Sequence, residues 1–252
     1  MDKIYRVKMG MGGRYALEQD GGLYWLEGSI FGDYHTGMLI EDTPMKFTAP
    51  VLPSKIIAIG LNYKDHAAEM NKPLPAEPLV FSKPSTSVIG PDDPIRIPLW
   101  AGRVDYESEV AVVIGKRAYN VKAVRAMDYV LGITCLNDVT ARDLQHKDVQ
   151  YTRAKGFDTF APMGPCIAVG LDPSNLAIEG WVNGEKRQSS NTDQLIFAVP
   201  ELVEFVTRFC TLEPGDVITT GTPSGVGPLK PGDRVMVKIA GIGALSNPCV
   251  EA

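Results

Sequence analysis

The run Val104-Asp-Tyr-Glu-Ser-Glu-Val-Ala-Val-Val-Ile-Gly115 constrains this chain more than any other stretch. A strand whose side chains alternate at period two puts Asp105, Glu107 and Glu109 on one face. The apolar continuation over residues 111–114 argues that the strand runs into the interior, where carboxylates are costly unless they are paired or coordinate a cation. Aligned acids with no His nearby match a hard ion such as Mg2+ or Mn2+ better than zinc. A solvated strand edge gives the same pattern, and the two acids of the Glu-Ser-Glu triplet alone do not choose between the readings.

Such a strand needs a core to enter, and 252 residues supply one, as one large domain or as a large domain carrying a small one. Hydrophobic residues at 44% and charged residues at 22% describe an ordinary globular chain with little room for long disorder. The 25 Lys and Arg against 30 Asp and Glu give a formal charge of -5, so no global attraction to nucleic acid or anionic membrane is expected. The N-terminal residues lack the apolar core of a signal peptide, and nowhere do about 18 uninterrupted apolar residues occur. A cytoplasmic protein is the expectation. Cys135, Cys166, Cys210 and Cys249 form no CxxC pair and read as reduced thiols. With only His35, His66 and His146 available, a metal site must lean on oxygen ligands.

Strands outnumber helices along the chain. Residues 4–47 alternate short Tyr-, Val- and Leu-bearing segments with glycines, which reads as a compact β subdomain over residues 1–50. The two prolines of 48–53 suit an extended connector into a larger unit, 51–252. There, strands are expected at 55–60, 79–82, 94–97, 104–115, 130–137, 165–169, 177–183, 216–220 and 233–239. Asn183-Gly184 marks a two-residue hairpin. Helices are expected at 121–129 and 199–210, with a short helix or ordered loop at 62–70. The fold class is therefore mainly β with short helices at its edges.

Three further clusters can carry chemistry. Asp138 ends an apolar strand ahead of a helical turn and is either one more ligand or a helix cap. His66 and Glu69 stand three apart and share a face if helical, as a proton-transfer dyad or as an inert surface pair. Lys155 and the turn Gly221-Thr-Pro-Ser-Gly-Val-Gly227 offer a cation, a hydroxyl and backbone amides to a carboxylate. That turn fits neither a Walker loop nor a dinucleotide fingerprint, and no GxSxG elbow is present.

Taken in order and spacing, NYKDHAAEM, FSKP, DYESEVAVVIGK, MDYVLGITCLNDVTARDLQ, AKGFD, VNGEKRQ and GDVITTGTPSGVG resemble the fumarylacetoacetate hydrolase family over about residues 54–250. The resemblance implies a strand-rich twisted β-roll that usually dimerises; the small N-terminal β subdomain ahead of it carries no motif that matches the family. It implies Glu107, Glu109 and Asp138 as ligands of Mg2+ or Mn2+, with Asp105 a neighbour of the metal set. It further implies His66 and Glu69 as a water-activating dyad on a lid-like segment, and Arg142, Gln145, Lys155 and Thr222 as contacts to the substrate's carboxylate and carbonyl oxygens.

The expected activity is metal-dependent hydrolysis of a carbon-carbon bond in an acylpyruvate-type substrate. The cation stabilises an enolate and His66, oriented by Glu69, draws a proton from water. Oxaloacetate-type decarboxylation and 2-hydroxyhepta-2,4-diene-1,7-dioate-type isomerisation need the same enolate and stay open. From another class, a binding protein for a 2-oxo acid with a structural metal is the rival reading.

Overall fold

The computed structural model describes residues 1–10, 12–41 and 45–252. Residues 11 and 42–44, inside the segment read as small strands and turns, lie outside the described residues. The N-terminal strands are β1 (Asp2–Met9), β2 (Gly12–Gln19), β3 (Gly22–Gly28), β4 (Tyr34–Leu39) and β5 (Phe47–Thr48). Then come β6 (Ile56–Gly60), β7 (Leu79–Lys83), β8 (Val88–Ile89), β9 (Ile95–Ile97), β10 (Val104–Tyr106) and β11 (Ser108–Ile114). The remainder are β12 (Val130–Asn137), β13 (Thr140–Ala141), β14 (Ala161–Val169), β15 (Ala177–Val182), β16 (Glu185–Asn191), β17 (Val217–Thr219), β18 (Gly227–Leu229), β19 (Arg234–Ile239) and β20 (Gly243–Glu251). Among the described residues four short α-helices accompany them: α1 (Lys64–Glu69), α2 (Arg142–Lys147), α3 (Thr152–Lys155) and α4 (Val199–Thr207).

The long sheet runs β4-β3-β2-β1-β14-β12-β11-β17-β6-β7, with β5 added beside β1 and β8 beside β14. A five-stranded sheet, β16-β15-β19-β20-β9, and a three-stranded sheet, β13-β10-β18, complete the architecture. This is the strand-rich class that the sequence predicts. Strands β1–β5 extend the long sheet, because β1 pairs antiparallel with β14. Among the described residues no helix is long and apolar enough to cross a membrane.

Strand alternation explains how β11 can be buried on both sides. Val110, Val112 and Ile114 pack with Ile178, Val237 and Ile239 of the five-stranded sheet and with α4, whereas Ala111 and Val113 pack with Ile4, Leu17 and Ile167 on the opposite face. The hairpin at Asn183-Gly184 has both residues at positive φ, 52° and 81°, the geometry of a type I′ turn.

Three local expectations are corrected. The 104–115 strand is interrupted at Glu107: β10 belongs to the three-stranded sheet and β11 to the long one. The 121–129 helix is a 3-10 segment, Ala123–Tyr129. The 199–210 helix ends as α4 at Thr207, whose hydroxyl donates to the Val203 carbonyl while accepting from the Val121 N–H.

Candidate active site

The interruption at Glu107 builds the site. β11 pairs with β12 in the long sheet, and their continuations β10 and β13 pair with each other in the small one. The two chains therefore cross between sheets side by side, with Glu107 at one crossing and Asp138 at the other. The Asn137 side-chain oxygen accepts the Glu107 N–H at 2.9 Å, and the Glu107 carbonyl accepts the Asp138 N–H at 2.8 Å. These bonds take over from the ladder where it breaks.

Glu107, Glu109 and Asp138 are all buried, and one carboxylate oxygen from each lies within 4.8 Å of the others. Metal–oxygen bonds of about 2.1 Å place ligand oxygens at most about 4.2 Å apart, so inward shifts of a few tenths of an ångström would let all three share one ion. Glu109 carries the strongest local signal. Burial, with the charges of Asp138 and Glu107 added, raises its pKa well above the ordinary carboxylate range. Its Oε2 accepts the Gly221 N–H at 2.9 Å, but no Lys or Arg pairs with it among the described residues. An all-oxygen set with one uncompensated carboxylate fits a hard divalent cation.

Cationic side chains surround the other two acids. Lys155, on α3, donates to Glu107 at 2.7 Å and to Asp138 at 2.5 Å. Arg142, at the start of α2, donates to Glu107 at 2.6 Å, to Asp105 at 2.9 Å and to the Gln145 amide oxygen at 2.5 Å. Burial alone would raise the pKa of Glu107, but Lys155 and Arg142 outweigh it and bring the value down to about 2. Burial works against the charge of Lys155 too, yet Asp138, Glu107 and Glu109 leave its pKa raised. Asp105 is fully buried between Arg103 and Arg142, apart from the triad.

Lys83 was not singled out from the sequence. It is 1% exposed at the end of β7 and donates to Asp138 at 2.5 Å. Burial lowers its pKa and the Asp138 charge opposes that shift only in part. The signal available was its place in FSKP, the second of the segments that carry the family resemblance.

α1 brings His66 and Glu69 to the same cavity. His66 Nδ1 lies 2.9 Å from Glu69 Oε2, and Glu69 Oε1 accepts the Gly225 N–H at 3.0 Å, so one carboxylate holds both the imidazole and the 221–227 turn. Nε2 is then the ring nitrogen left for proton exchange. Thr222 lines the cavity, but its hydroxyl donates to the Ser108 carbonyl and accepts from the Gln188 amide, each at 2.9 Å. Gln188, also not foreseen, is buried and further ties Ser108 N–H and the Pro223 carbonyl, joining this turn to the start of β11.

The shared cavity has a volume of about 470 Å3. It admits every predicted site residue: His66, Glu69, Glu107, Glu109, Asp138, Arg142, Gln145, Lys155 and Thr222. Five carboxylates line it, those of Glu69, Asp105, Glu107, Glu109 and Asp138, against Lys72, Arg103, Arg142 and Lys155. Lys83 behind Asp138 makes the cations five.

Comparison with known proteins matches residues 55–250 to the family described as fumarylacetoacetate (FAA) hydrolase C-terminal. A protein of Archaeoglobus fulgidus is 60% identical over 215 residues, covering 85% of this chain and 86% of its own. The mitochondrial oxaloacetate tautomerase of Xenopus laevis is 46% identical over 225 residues, covering 84% of this chain and 70% of that protein. The crystal structure of 5-carboxymethyl-2-hydroxymuconate delta-isomerase from Mycobacterium smegmatis superimposes with a TM-score of 0.92 at 42% identity, over 99% of this chain and 100% of that one.

Proposed function

Since the chain belongs to the fumarylacetoacetate hydrolase family, whose named relatives include enzymes, we propose that it catalyses proton transfer at the carbon beside the keto group of a 2-oxo dicarboxylate, interconverting keto and enol forms. The observation that carries this reading is the single cavity in which the His66–Glu69 dyad meets the buried acids and their cations. Glu107, Glu109 and Asp138 would hold Mg2+ or Mn2+, which supplies the Lewis acidity that stabilises an enolate.

The chain's own groups account for the rest. Glu69 fixes the His66 ring, so that Nε2 can take the substrate proton and return it. Arg142 and Lys155 offer guanidinium and ammonium donors to the 2-oxo acid end, and Gln145 is held beside Arg142 to add an amide. Five acids and five cationic side chains cancel formally, so a divalent ion leaves two positive charges in excess and a dianion restores neutrality. That balance favours a dicarboxylate over a monocarboxylate. The named tautomerase and isomerase relatives support proton transfer over net hydrolysis.

Hydrolysis of an acylpyruvate is the second reading, favoured by the same dyad, because Nε2 could equally draw a proton from water. The test adds freshly dissolved enol oxaloacetate to EDTA-stripped protein before and after Mg2+ or Mn2+, with pyruvate release from acetylpyruvate followed in parallel. Metal-restored loss of enol absorbance, abolished in His66→Ala, is expected. Pyruvate release with no enol conversion would replace the first reading by the second, and no turnover of either would overturn both.

A further inference from the structure

Arg103 is held unusually firmly for a half-exposed side chain. Its backbone N–H donates to the Asp143 carboxylate at 3.1 Å and its carbonyl accepts the Arg142 N–H at 2.7 Å, so both sides of the residue are pinned to the start of α2. Gly102 before it has φ of 75°, which favours glycine, and a Cβ there would sit 2.0 Å from an Asp143 oxygen and push that carboxylate aside. In the side chain, Nε is fixed on Asp105 at 2.6 Å. The two terminal nitrogens have no hydrogen-bond partner among the described residues. An arginine anchored at three points with its fork free, lining a cavity, is preorganised to receive an anion.

Two further groups with free donors line the same cavity. Lys72, just beyond α1, has no ion-pair partner among the described residues, and His146, on α2, has no hydrogen-bond partner. Arg142 is different, since each of its three nitrogens already holds a partner, Asp105, Gln145 or Glu107, which leaves one N–H on each terminal nitrogen for the 2-oxo acid end. The inner acid cluster thus has its own cations, and Arg103 and Lys72 are in addition to them.

We propose that Arg103, assisted by Lys72 and His146, forms a second anion subsite that binds the distal carboxylate of the substrate, and so sets the preference for 2-oxo dicarboxylates over 2-oxo monocarboxylates. The inference rests on the 2-oxo dicarboxylate reading above and adds the residues that select for it. Asp105 couples Arg103 to the inner acid cluster: one oxygen fixes Arg103 and the other Arg142, which in turn reaches Glu107.

The test compares oxaloacetate with its 4-methyl ester, which keeps the 2-oxo acid and loses the distal charge. Enolisation is followed for wild type, Arg103→Gln and Lys72→Gln, and binding of both compounds to the Mn2+-loaded proteins is followed by calorimetry. Wild type should favour the dianion, and Arg103→Gln should narrow that preference by roughly tenfold, mainly through KM, with Lys72→Gln doing the same to a smaller degree. Equal loss on both compounds would mark Arg103 as a support for Asp105 alone, and an unchanged preference would likewise overturn the subsite. If neither compound is enolised but the dianion binds more tightly and Arg103→Gln removes that difference, the subsite stands and the proton-transfer reading falls.

Discussion

Glu109 differs from the acids around it, because Glu107 and Asp138 have Lys155 in common and Glu109 has no cation of its own. In metal-free protein its folded-state pKa lies above its unfolded value, so folding takes up a proton between the two. Stability from this group is full below the unfolded pKa and is lost as pH rises through the folded one. Glu109→Gln removes the repulsion and keeps the shape. Metal-free Glu109→Gln should exceed wild type by about 1–3 kcal/mol near neutral pH, with the gap closing on acidification through that window. Urea titrations in EDTA at several pH values would measure it, and a gap that widens toward acid would contradict the assignment. The same variant should lose the stabilisation by Mn2+. The alternation around Glu109 was legible in the sequence. The cations were less so: Lys83 and Arg103 are ordinary residues until the fold shows that one is buried on Asp138 and the other is braced by Asp143 and Asp105.

At the scale of elements, Asp216 shows how two neighbouring strands of the long sheet are tied together. Its Oδ1 accepts from Ser54 N–H, Ser54 hydroxyl and Lys55 N–H, and its Oδ2 from Lys55 Nζ and Glu213 N–H. This binds the connector ahead of β6 to the strand β17 that pairs with it in parallel. Burial alone would raise the pKa of Asp216, but the bonds from Lys55, Glu213 and Ser54 outweigh it and hold the value below the usual range. The group therefore stabilises the fold above its unfolded pKa, and that contribution is lost as pH falls through the folded one. Asp216→Asn turns one acceptor into a donor facing donors and should cost about 2–4 kcal/mol in urea unfolding at neutral pH, with a smaller difference in acid. A neutral effect would show that these bonds do not anchor the pair. Element reading from sequence succeeded for the continuous apolar run of β6 and the unbroken alternation of β19, and misplaced 104–115, because nothing local signals that one run serves two sheets. β20 was not expected at all. Its alternation of buried Leu245, Asn247 and Cys249 is masked by a buried Asn and by Pro248, both unfavourable strand formers.

For the whole molecule, what periodicity could not supply was pairing between distant segments. That β1 would join β14, or that β10 and β11 would part, depends on contacts far apart in sequence. The crossing also gives an ion in this site a mechanical role. Glu109 belongs to β11 of the long sheet, while Glu107 and Asp138 stand at the crossings into the three-stranded sheet, so an ion shared by the three would fasten one sheet to the other. Binding to the folded state alone adds about 2.7 kcal/mol when free ion is at a hundredfold its Kd. Mn2+ should therefore raise the melting temperature of EDTA-stripped protein. Hydrogen exchange should slow most in β10–β13, with less change in β2–β4 at the far edge of the long sheet. Uniform slowing would mean that the ion acts only through global unfolding. Slowing confined to the N-terminal strands would place its binding site somewhere other than at the crossing.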